Sequence, residues 1–280
     1  MFVNHNNHKT PMSDTQFDNH AIAIRKRTVG ELFDLTLAVM RTEGLRILGW
    51  FCMFAIPLTL INHAVLTWII EHWLVLDAEE ESWFVFYTLG YIGLVLLEMP
   101  FASAPSLIYL GKRVFAADSR PGSSEVLLAW LEALPQLVVY NIILVPLILV
   151  YDCMPEIVAL ERSPLFSKQK DRITTFKRLK NFHRDRFGEQ FAMLVPLLLF
   201  AIVLVPTLWV IVKYVFFLSV GPVEKYMHLY YAILIPAILW VLTLFMLVFH
   251  FLRYIDMRIE REGWDVELVF RAERSRTTES

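Results

Sequence analysis

Residues 125–161 read EVLLAWLEALPQLVVYNIILVPLILVYDCMPEIVALE, and the fold turns on how often this stretch crosses a bilayer. As one straight helix it would be about 55 Å long, far beyond the ~30 Å a single crossing needs. As two crossings it is short, because each half falls below the ~20 residues of a comfortable span. Pro146 sits near its middle, where a missing backbone donor breaks or bends a helix.

Working outward, the chain is built from similar apolar blocks. Of its 280 residues 56% are hydrophobic, with 21 Phe, above the roughly 45–50% of an average soluble domain. The excess is concentrated at 47–70, 83–109, 191–220 and 226–252, each long enough to span a membrane. Residues 1–27 form a polar tail without the apolar core of a signal peptide, so the first block is expected to serve as the insertion signal. Residues 28–262 read as one helical membrane domain and 263–280 as a second polar tail.

Before the first block, Thr28 and Glu31 have the spacing of a capping box. Val29, Leu32, Phe33, Leu37 and Met40 then repeat on one helical face. With Arg25, Lys26, Arg27, Arg41 and Arg46 around it, this segment reads as an interfacial helix on the inner leaflet. A helix packed on the protein's own aqueous side is the alternative.

Charge then decides the hairpin. Lys and Arg in short loops stay on the cytoplasmic side. If 125–161 folds back on itself, 24 of the 26 Lys and Arg share one face, and only Lys213 and Lys225 lie on or near the other. If it crosses once, the nine cations of 162–186 fall outside and the rule fails. The expected fold is therefore all-α and polytopic, with about six hydrophobic segments, 125–144 and 146–161 being a short or re-entrant hairpin. Both termini are then cytoplasmic.

Within the loop after the hairpin, Lys168, Lys170, Arg172, Lys177, Arg178 and Lys180 alternate with Ile173, Phe176, Leu179 and Phe182. A loop tethered beside anionic headgroups is read as a lipid-contacting surface helix, with a protein partner second, and no nucleic acid is expected. Ionisable groups inside apolar blocks are costly and so mark candidate sites. These are Glu98, Asp152, Glu156, His250, Arg253 and Asp256, all in or near the half facing the basic loops. They either satisfy one another and proline-freed backbone, or line an inward-facing cavity that handles a cation, a proton or a lipid headgroup. Convergence of Glu98, Asp152 and Glu156 would favour the second.

Neither HExxH, CxxC, GxSxG nor a glycine-rich phosphate loop is present, so no enzyme, metal or cofactor is expected. Cys52 and Cys153 both lie in apolar blocks and are not expected to pair.

The last span runs into Tyr254-Ile255-Asp256-Met257-Arg258-Ile259-Glu260-Arg261-Glu262-Gly263-Trp264-Asp265-Val266-Glu267-Leu268. This ending resembles that of a bacterial group of uncharacterised multi-pass proteins, a group similar to the membrane domain attached to some glycerophosphoryl diester phosphodiesterases. Gly30-Glu31-Leu32-Phe33-Asp34-Leu35-Thr36 and Pro155-Glu156-Ile157-Val158-Ala159-Leu160-Glu161 agree with it. The resemblance implies a helical module of the bacterial plasma membrane with no assigned catalytic residues. The catalytic barrel has no counterpart here, so the enzymatic activity is not carried over. The sequence reads as a non-enzymatic, envelope-related membrane module or scaffold with lipids and an envelope protein as partners, or else as a carrier or lipid-handling protein.

Overall fold

The computed structural model describes residues 27–74, 80–115, 121–144, 154–161, several of 174–180, and 187–262. Among these the fold is all-helical: α1 (Val29–Ile69, extended by a π-helical turn Ile70–Leu74), α2 (Glu80–Phe115), α3 (Ser123–Leu144), α4 (Met154–Glu156, continued by a π-helical turn Ile157–Glu161), α5 (Phe187–Ser219) and α6 (Met227–Glu262). Four helical stretches are long and apolar enough to cross a membrane: Val29–Trp73, Trp83–Val114, Leu198–Ser219 and Met227–Glu260.

α1, α2 and α6 form the packed centre. α6 is its mast, burying Phe245, Val248, Phe249, Phe251, Leu252 and Tyr254. α5 leans on α6 through Phe216, which meets Tyr230 edge-on at 5.5 Å. No part of its most apolar window is buried, as for a helix whose solvent is hydrocarbon. At the end of α5 the Gly221 N–H reaches back to the Phe216 carbonyl at 3.3 Å, with φ of 124° that only glycine adopts freely.

The capping box read at the start of α1 forms. Thr28 Oγ1 accepts the Glu31 N–H at 3.3 Å, and Glu31 Oε2 accepts the Thr28 N–H at 2.9 Å. Thr28→Ala is expected to cost about 1 kcal/mol and to speed hydrogen exchange in this first turn alone.

The first part of α1 does not run parallel to α6. Phe33 packs on Phe245 and Phe51 on Trp240, with ring centroids 5.3 and 5.6 Å apart. About 27 Å of α1 thereby maps onto about 7.5 Å of α6, so this segment crosses the bundle obliquely.

α3 contacts α2 at three levels: Glu125 at Lys112, Trp130 at Phe101 and Asn141 at Leu97. Leu97 is 14 residues short of Trp83, or about 21 Å of helix. The described part of the hairpin thus rises from the end of α2 that bears Lys112 and Arg113 to about the middle of α2. Leu160 of α4 then lies against Gly111, back at the starting level. Residues 145–153, with the expected fold-back at Pro146, lie outside the described residues.

The opposite end of the bundle is aromatic. Trp83 stacks on Tyr87 at 4.7 Å and meets His228 edge-on at 4.5 Å, Phe84 packs on Tyr231, and Trp68 and Trp73 are exposed. Amphipathic rings at that level are the usual marker of a membrane–water boundary.

Candidate functional site

The ionisable residues picked out by the sequence divide between two places. The first is mid-bundle. Glu98 lies on α2, half-buried, and its Oε2 accepts Asn62 Nδ2 of α1 at 2.7 Å. Asn62 is 98% buried. Tyr91, two turns before Glu98 on the same face of α2, lies beside Asn62, Thr59 and Trp240 within electrostatic range of Glu98. Thr59 donates to the Ala55 carbonyl at 2.7 Å and accepts Trp240 Nε1 of α6 at 2.8 Å. Five polar side chains from three helices therefore meet in the middle of the bundle. The Tyr91 hydroxyl, on a fully buried residue, lies among the side chains of Thr59, Trp240 and Asn62.

Prolines account for part of the neighbouring polar pattern. Pro105 removes the donor that would bond the Phe101 carbonyl, and Trp130 Nε1 of α3 supplies one at 3.3 Å. Pro100 leaves the Leu96 carbonyl without its helical donor, and Asn141 of α3 bonds the adjacent Leu97 carbonyl. Trp130 thus supplies the donor that Pro105 removes, whereas Asn141 bonds the residue next to the carbonyl that Pro100 opens. Ser106 also bonds across helices, donating to the Ile47 carbonyl at 3.1 Å.

The second place is the basic end. Glu161, the last residue of α4, has its side chain 94% buried and pairs with Arg178. It also accepts the Tyr254 hydroxyl at 2.5 Å, while Arg258 stands 3.8 Å away and donates to the Tyr254 oxygen at 3.1 Å. The Arg258 guanidinium lies 5.8 Å over the Tyr254 ring. A second hub is Glu43 of α1, which accepts the Tyr109 hydroxyl at 2.9 Å, Arg46 at 2.9 Å and Arg113 at 3.3 Å. Asp256 Oδ1 accepts the Arg27 N–H at 3.0 Å, tying the start of α1 to the end of α6. His250 and Arg253 are buried on α6 nearby, and Glu156 is buried in α4.

Glu98 and Glu156 are not brought together. Leu160, one turn beyond Glu156, touches Gly111, which is 13 residues and about 20 Å along α2 from Glu98. Asp152 lies outside the described residues, as do Lys168, Lys170 and Arg172 of the basic loop. Around 174–180 the described residues include a helix start: Thr174 accepts the Arg178 N–H through its carbonyl and the Lys177 N–H through its hydroxyl. Lys177 and Lys180 are exposed while Thr175 is buried, and Arg178 turns inward to Glu161.

Glu161, Tyr254, Arg258, Glu43, Tyr109 and Tyr91 did not stand out in the sequence as site residues. Glu43 and Arg46 three apart, and Tyr91 and Glu98 seven apart, are same-face spacings that hint at two of the clusters. Glu161 carried no signal beyond ending an apolar block. Among the described residues no three His, Cys, Asp or Glu side chains gather as metal ligands. Comparison of the chain with protein-family models, curated proteins and solved structures finds no match to any of them.

Proposed function

We propose that the protein is a non-enzymatic helical membrane module whose working surface is its basic end, a platform that holds anionic lipid headgroups and docks an envelope protein partner. The reading is carried by the Glu161 hub. By clasping Arg178 to α6 it fixes the start of the basic helix, so that Lys177 and Lys180 project outward beside it. In this reading the cationic end faces the cytoplasm of a bacterial plasma membrane, both termini lie on that side, and the 125–161 hairpin brings the hydrophobic segments to six. Each exposed cation near an anionic leaflet contributes about 1 kcal/mol.

Lipid capture tests it. Protein in nanodiscs of mixed anionic and zwitterionic lipid is expected to retain anionic lipid on extraction, seen by native mass spectrometry. Lys177→Gln/Lys180→Gln should lower the affinity for anionic lipid by roughly thirtyfold. Equal retention of anionic and zwitterionic lipid by the unaltered chain would sink the platform reading.

A carrier reading draws support from the Glu98–Asn62 pair. With Glu156 some distance from Glu98, it rests on a single carboxylate and not on the cluster of three that a cation cavity would use.

A further inference from the structure

The platform leaves the mid-bundle carboxylate without a role, and that carboxylate is the least explained polar group in the described chain. An ionised carboxyl at bilayer depth carries a cost of about 2.5–3.5 kcal/mol or more, which proteins offset with a cation or several donors. Glu98 has neither. Among the described residues no Lys, Arg or His pairs with it, and its one hydrogen bond comes from a neutral amide.

The groups packed around it can be followed element by element. From α1 come Asn62 and Thr59, both uncharged, while the adjacent His63 turns its Nδ1 to the Tyr87 hydroxyl at 3.1 Å. From α2 comes Tyr91, from α3 Asn141 on the neighbouring Leu97 carbonyl, and from α6 Trp240. None carries a charge that would hold Glu98 ionised. The surroundings suit a neutral acid. They also contain a group able to serve either protonation state, since a tyrosine hydroxyl both donates and accepts and that of Tyr91 is buried among Asn62, Thr59 and Trp240.

We propose that Glu98, held by Asn62 with Tyr91 beside it, forms a proton-binding site in the membrane interior. The event is one protonation: a carboxylate oxygen takes H⁺ from water-derived hydronium, an O–H bond forms, and the site passes from one negative charge to none. No other reactant is needed. Asn62 keeps its bond to Oε2 in both states. The site therefore changes charge without repacking, as a proton-coupled step requires of its carrier group. This assignment is independent of the headgroup platform, which involves other residues at another level.

A carbodiimide of low polarity tests it, because such reagents enter the bilayer and react with protonated, not ionised, carboxyls. The unaltered full-length protein in nanodiscs is labelled across a pH series and the adduct is located by peptide mass spectrometry. The expected result is one dominant adduct, on Glu98, at neutral pH, with labelling that falls about tenfold for each pH unit above its midpoint. Glu98→Gln should abolish the adduct, and retention of the Asn62 contact keeps the fold intact. Tyr91→Phe, which removes a buried hydroxyl able to donate toward the ionised form, should move the midpoint to higher pH. Absence of a Glu98 adduct at every pH would overturn the proposal. So would protection of Glu98 by sodium at constant pH, which would assign the site to a metal cation.

Discussion

Glu161→Ala is expected to destabilise the protein by about 3–5 kcal/mol, the cost of breaking a buried ion pair from one side. The side chain is nearly sequestered, and its loss takes the carboxylate from the Arg178 guanidinium and from the Tyr254 hydroxyl together. Arg258 keeps its bond to Tyr254 but loses the carboxylate 3.8 Å away. Denaturant titration of the solubilised protein should show the loss as a lower midpoint. Glu161→Gln retains an acceptor for Tyr254 and removes only the charge, so it should fall between the two. The hub also joins the hairpin to α6. Protease should therefore cleave between residues 162 and 186 of Glu161→Ala faster than in the parent. Equal stability of Glu161→Ala and parent would mean that these charges are already solvated.

Gly111→Val is the second large effect. A Cβ at Gly111 would stand 2.5 Å from Leu160 Cδ2, closer than two carbons can approach. Because that atom ends a flexible side chain, Ala should be absorbed by a rotamer change. The two methyls of Val leave no such escape, and α4 must move off α2, at about 1–3 kcal/mol. The signature is in the double variant: Gly111→Val with Leu160→Ala should recover most of the loss, a coupling that neighbouring residues show and distant ones do not. Additive losses would place the two residues apart. Gly90 meets Leu66 in the same manner, with a Cβ 2.7 Å from Leu66 Cδ2, so small residues set the approach of helices at both levels. That is how helices associate when hydrocarbon surrounds them.

Much of the architecture can be read along the chain. Four of the apolar blocks become helices able to cross a membrane, and the Thr28–Glu31 box starts α1 where its spacing places it. The site residues were less legible. Glu98, as a carboxylate in an apolar block, announces itself, but its partner does not: Asn62 lies 36 positions earlier among uncharged neighbours. The prolines of α2 could be read as helix breaks, yet nothing along the chain indicates that Trp130 and Asn141 would meet the carbonyls beside them.

What the sequence determined by itself is that several helices must lie in hydrocarbon and that nearly all its cations belong with the segments between and beyond them. Both follow from transfer free energies, which add residue by residue without reference to neighbours in space. Which polar groups meet was decided only by the tertiary structure. The rotation and height of each helix against the next depend on contacts such as Leu66 on Gly90 and Leu160 on Gly111, and a quarter turn of α1 would carry Asn62 away from Glu98 while leaving every hydropathy value unchanged.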